Sequence, residues 1–313
     1  MSFIGFWNYI GARKSKASLY AREFIRENGL FFLGLVETKI NVLDKKVVST
    51  LVGEGWDYFH VPSEGLSVGI LVIWKQDMAK FSMLGASSQF LIGDLNVINK
   101  GTWIIATIYG SKDIDRRRSL WEGLEHFMTD DFPMIIGGEF NCLLSKEEKE
   151  GGRNFVFGLG PREMKSFITC NNLHEVACVG PKYTWCNNKR GVDRILEKLE
   201  RCLVNATAFN SSHRLLVKHL TRLASDHCPI LFKLLNFIPP NKKVLKFEEV
   251  WSSIPASIVV VYKSWNKNTK GDPSQALNDK LKRTLRDLHF WSKAKFKAMN
   301  LHKEELKSKV LRL

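Results

Sequence analysis

The stretch that most constrains the fold is Pro133–Asn141, PMIIGGEFN. Its apolar run is short and is bounded by a proline and a Gly-Gly pair, which suits a strand covered on both faces. Gly137 and Gly138 allow backbone conformations closed to other residues, and predict a close approach of the main chain to a ligand. Beyond them Glu139 and Asn141 alternate with Phe140. Alternate residues of extended backbone share a face, so a carboxylate and an amide leave the strand end together and Phe140 turns inward. An acceptor beside a donor suits a metal, a water or a phosphate. The same letters also describe a polar loop after a core strand.

Other strands are delivered by similar runs. Residues 2–9 read as a strand ending at Asn8, and Phe31–Val36 as a buried strand that presents Glu37 at its end. Val68–Trp74 reads as another buried strand, and Gln89–Val97 with Thr102–Tyr109 as a hairpin turning at Asn99-Lys100-Gly101. Gly11–Lys16 reads as a polar loop, followed by a helix capped by Ser18 and running to Asn28. A stripe of Leu120, Leu124, Phe127 and Met128 predicts a helix facing the core, and Pro161 fits the first turn of one reaching Asn171. Ile195–Val204 reads as a strand. Ser225-Asp226-His227 precedes the strand-like Pro229–Phe232, and an Asp beside a His can orient or charge the imidazole. Neither GxGxxG nor GxxxxGK[ST] occurs, which argues against a fold built on a nucleotide cofactor.

These blocks carry a resemblance. WN at 7–8, LVETK at 35–39, IYG at 108–110, GGEFN at 137–141, YTW at 183–185, LERCLVN at 199–205 and SDHCPI at 225–230 fall in the order seen in the endonuclease/exonuclease/phosphatase superfamily. Within it the chain resembles the endonuclease domain of plant LINE-type (non-LTR) retrotransposon polyproteins. The resemblance implies an α/β (α+β) fold: a four-layer sandwich of two packed, mostly antiparallel sheets flanked by helices. It spans about residues 1–235, leaving 236–313 as a basic, largely helical, linker-like extension.

The resemblance also implies roles. Glu37 is the main ligand of Mg²⁺ or Mn²⁺, with Asn8 and Asp226 nearby. Glu139 orients or deprotonates the attacking water, and Asn141 holds the phosphate or that water. Tyr109 hydrogen-bonds the scissile phosphate. His227 stabilises the phosphoryl oxygens, positioned by Ser225, Asp226 and Glu200. Thr184 and Trp185 lie beside a DNA-binding groove. At positions 139 and 200 the relatives carry Asp where this chain has Glu, a longer side chain at two places intolerant of displacement. The implied activity is Mg-dependent nicking of DNA. An inert nucleic-acid-binding remnant of such an element, or a phosphatase of the same fold, remains as an alternative.

Charge agrees with a polyanionic partner. The net charge is +15, and residues 236–313 hold 17 Lys and Arg against 7 Asp and Glu. Leu277, Leu281, Leu285, Leu288 and Trp291 form one apolar stripe there, behind a helix-start signal at Asp272-Pro273-Ser274 and a boundary at Pro239-Pro240. This segment is expected to be a semi-ordered helical arm rather than a folded domain. No apolar run is long enough to span a membrane, and no leader is apparent. Six cysteines without CxxC or zinc spacing read as reduced thiols, which suits an intracellular protein, nuclear if DNA is the substrate. No small-molecule cofactor is expected, and a monomer is.

Overall fold

The computed structural model describes residues 2–9, 17–63, 65, 68–211, 213–222, 225–236, 245, 247–269 and 271–310. The chain divides into two compact units, Met1–Phe237 and Ile238–Leu313. The loop expected at 11–16 and the boundary at Pro239-Pro240 lie outside the described residues.

Two sheets form the first unit. One runs Cys178–Val179, His213–His219, Ile230–Asn236, Ser2–Asn8, Leu30–Val36, Ile70–Lys75, Trp56–Val61. The other runs His174–Glu175, Glu200–Val204, Met134–Glu139, Gly101–Tyr109, Phe90–Val97, Ala79–Ala86. Most neighbouring pairs in both are antiparallel; Ser2–Asn8 with Leu30–Val36, Cys178–Val179 with His213–His219 and Gly101–Tyr109 with Met134–Glu139 are parallel. The inner faces pack Phe6, Phe32 and Val72 against Leu91, Ile105 and Ile135. Helices Ala17–Asn28 and Lys45–Val52 cover one outer face through Phe24, Ile25, Val48 and Leu51. Ile114–Glu125 and Leu159–Cys170 cover the other through Leu120, Trp121, Met164 and Phe167. The layers are therefore helix, sheet, sheet, helix, as expected.

Several details differ from expectation. Ser18 lies inside its helix, which begins at Ala17. Phe127 and Met128 fall after the helix that ends at Glu125, yet still pack on the core. The expected strand at 195–204 is two, because Leu196–Glu197 leaves the large sheet to join a small one with Trp185–Cys186 and Lys149–Glu150. Gly137 and Gly138 serve packing rather than a ligand. A Cβ on Gly137 would lie 2.3 Å from the Phe6 ring of the facing sheet. One on Gly138, at φ +136°, would lie 2.2 Å from the Ile108 carbonyl oxygen.

The second unit is a helical hairpin of Pro255–Trp265 and Pro273–Val310, not a semi-ordered arm. Asp272 caps the longer helix, accepting from the amides of Ser274 and Gln275. Trp251 is buried and donates through Nε1 to Ser292 Oγ at 3.1 Å. Arg283 ties the helices by donating to the carbonyls of Ser264 and Lys267. The expected stripe is half right. Leu288 is buried, but Leu277 and Leu281 are exposed, because the seam follows Thr284, Leu288 and Ser292.

Candidate active site

Strand ends from both sheets converge on one cluster. Asn8 ends its strand beside Val36, which places it next to Glu37. In the facing sheet Tyr109, Glu139 and Glu200 stand in register across three adjacent strands. His227 arrives on the segment that bridges to Trp185. Ser225 Oγ donates to the Asn8 carbonyl at 3.0 Å and accepts from the His227 amide, so it pins this segment to the strand end.

Asn8 Nδ2 donates to Glu37 Oε1 at 3.1 Å and to Glu139 Oε2. The imidazole Nδ1 of His227 meets Glu200 Oε1 and lies 3.8 Å from Glu139 Oε2. An ionised carboxylate can only accept, so Nδ1 carries the proton and Nε2 is the atom left for a substrate. Burial pushes the Glu139 carboxyl up, and Glu200 and Glu37 add to that, while His227 opposes it. For His227 burial lowers the pKa, but Glu139 and Glu200 outweigh it and the imidazole is held up in its charged form. Tyr109 is pushed well above the usual phenol range by burial and by Glu139 and Glu37, so its hydroxyl stays a donor.

Glu37 sits at φ 55°, a left-handed conformation that costs a long side chain about 1 kcal/mol or more and persists only where the surroundings impose it. The next two amides are held by the carbonyls of Gly69 and Val68. Asn141 reaches the site differently from expectation. The strand ends at Glu139, and Asn141 turns at φ 48°, with Nδ2 donating to the Gly110 carbonyl at 2.9 Å.

A cation fits this donor set. Asn8 Oδ1, Glu139 Oε1, Glu200 Oε2 and Asp226 Oδ1 are buried without a hydrogen-bond partner. Each such acceptor costs about 1–3 kcal/mol unless something positive meets it. Oxygen atoms of this kind suit a hard divalent ion. The ligand atoms of Glu139, Glu200 and His227 also lie within 4.8 Å of one another. There the proton on Nδ1 competes with a metal.

Two expected DNA contacts separate. Trp185 lines the cavity, its Nε1 donating to Asp226 Oδ2 at 3.0 Å. Thr184 is fully buried, and its hydroxyl accepts from the amides of Leu199 and Glu200. It braces the strand that carries Glu200 and has no surface to offer a ligand. Two buried arginines are new. Arg117 donates to the carbonyls of Ser111 and Asn141. Arg201 holds Glu148, Glu175 and the Cys142 carbonyl. Asn141, Glu148, Glu175 and Cys142 are distant in sequence from the arginines they meet, so no local motif announces these contacts.

No family model matches the chain, and no curated protein matches it. Among solved structures its fold is that of the endonuclease domain of TRAS1, a telomere-specific non-LTR retrotransposon, at TM-score 0.56 and 13% identity over 75% of this chain and 98% of that one. It is similar to the AP endonuclease LMAP from Leishmania major, at TM-score 0.55 and 16% identity over 74% and 87%. A functionally unknown conserved protein from Enterococcus faecalis V583 matches at TM-score 0.50 and 12% identity over 75% and 100%. Among the described residues no helix is long and apolar enough to cross a membrane.

Proposed function

We propose that the chain hydrolyses phosphodiester bonds in DNA, nicking one strand with the help of Mg²⁺ or Mn²⁺, and that it derives from a LINE-type element. The observation that carries this reading is the set of partnerless buried oxygens where two sheets meet, flanked by a charged imidazole. Glu37 and Asn8 Oδ1, with Asp226, would hold the ion. A divalent ion supplies charge neutralisation for an anionic phosphate that repels nucleophiles. Glu139 orients the attacking water and takes its proton. His227, through Nε2, and the Tyr109 hydroxyl stabilise the phosphoryl oxygens. Glu200 keeps the imidazole charged and turned. Asn141 holds the phosphate or the water. Two endonucleases among structures of this fold support the reading, as do the seven ordered sequence blocks. Residues 1–235 form the catalytic part, and the basic segment 236–313 adds affinity for a polyanion. A DNA substrate would place the protein in the nucleus, and a monomer is proposed separately.

The test is relaxation of supercoiled plasmid with and without Mg²⁺, beside Glu37→Ala. Metal-dependent relaxation that disappears in the variant is expected. DNA binding without relaxation at any metal concentration would leave the inert remnant standing.

A further inference from the structure

Trp7 and Asn8 are neighbours on one strand, so their side chains leave it on opposite faces. Asn8 enters the site where the sheets meet, and Trp7 packs on the outer face against Phe24 of helix Ala17–Asn28. Another cavity, of about 500 Å³, opens on that outer face. Its walls are the helix on one side and, on the other, the ends of strands His213–His219 and Ile230–Asn236. The volume suits a ligand of dipeptide size, since small-molecule sites measure about 300–1,000 Å³.

The interior of this cavity is apolar. Trp7, Phe24 and Pro229 are buried, and Leu220 packs on the same outer-face cluster. One polar atom interrupts it. Trp7 is 2% exposed, and its Nε1 is buried without a hydrogen-bond partner. An indole donor orphaned in this way is costly unless an acceptor meets it. The rim, by contrast, is charged and divided by sign. Glu23 and Glu27 line it one turn apart on the helix, and Lys218 lines it from the strand. All three are exposed. Carboxylates at this helical spacing repel each other. Arg26 stands 3.6 Å from Glu23, but neither Glu27 nor Lys218 has an ion pair among the described residues.

We propose that this cavity binds a short apolar peptide with free termini, about two residues long. Its ammonium meets Glu23 and Glu27, and its carboxylate meets Lys218. Its inner carbonyl accepts from Trp7 Nε1, and its side chains lie on Phe24, Leu220 and Pro229. A purely apolar ligand would leave the indole donor unmet, and a nucleic-acid backbone would face two carboxylates. Binding here needs no phosphodiesterase activity.

The test is calorimetric titration of the full chain with three peptides that share one body. These are leucyl-phenylalanine, its amide, which lacks the carboxylate, and its N-acetyl form, which lacks the ammonium. The free dipeptide should bind, and each capped form should bind roughly 10-fold more weakly, as expected for one lost charge-assisted contact. Glu23→Gln with Glu27→Gln should erase the penalty for acetylation, and Lys218→Met the penalty for amidation. These side chains are exposed, so the substitutions leave the core intact. No binding of the free dipeptide at millimolar concentration overturns the proposal. So does equal affinity for the free dipeptide and either capped form, or a penalty that survives its matching substitution.

Discussion

Glu139 is 1% exposed, and its free oxygen Oε1 has no hydrogen-bond partner. Its other oxygen is drawn inward to Asn8. Replacing it by Asp shortens the side chain by one bond, about 1.5 Å. The methylene removed leaves about the space that one water occupies, roughly 30 Å³. That space adjoins the carboxylate proposed to orient the nucleophile. Displacement of about 1 Å in such geometry is worth up to roughly 100-fold in rate, or about 2.7 kcal/mol of barrier. The variant should therefore nick plasmid at least 10-fold faster than the parent at equal Mg²⁺. It should also be less stable, by about 0.8 kcal/mol for the methylene and about 1.5–3 kcal/mol if the charged contact with Asn8 is lost. Initial rates of relaxation and urea unfolding midpoints measure the two effects. A folded Glu139→Asp chain that cuts no faster than the parent refutes the idea that the extra methylene displaces the water.

Arg201→Ala strips the fully buried cation that donates to both Glu148 and Glu175, leaving only the more exposed Lys198 beside them, and should cost about 3–5 kcal/mol in urea unfolding; a loss below about 1 kcal/mol would contradict the geometry. His219, buried and with Nδ1 facing the Pro181 carbonyl, has its pKa held below 6.5 chiefly by burial. The unfolded chain then binds the extra proton more readily, so this stabilisation is present above about pH 6.5 and is lost as pH falls below it. His219→Gln should remove up to about 1.4 kcal/mol per pH unit from the acid slope of unfolding in that window; an unchanged slope would rule the residue out.

The layers of the fold were legible where strands are buried on both faces. Leu30–Val36 and Met134–Glu139 are almost unbroken apolar runs. Trp56–Val61 and Ala79–Ala86 went unread because edge strands are partly exposed and carry weak alternation. Lys45–Val52 did carry a readable cap, since Asp44 accepts from the Val47 amide. At the site, Asn8, Glu37, Glu139, Glu200 and His227 were legible as letters in ordered blocks, and the structure brings them together. The reason for the paired glycines was misread, because which ring lies opposite a strand is a property of the other sheet. Thr184 was misread for the same reason: its motif reveals the position but not the burial.

The strand that ends at Asn8 takes its antiparallel neighbour, Ile230–Asn236, from the far end of the same unit. The Asn8 carbonyl is itself held by Ser225. A ribosome makes the first of these segments long before the last. The nascent chain therefore carries Asn8, Glu37 and Glu139 through most of its synthesis without the parts that assemble them. Such long-range pairing also folds slowly. A message cut short before the codon for His227 would yield a product with an exposed central strand and no assembled site, prone to aggregate.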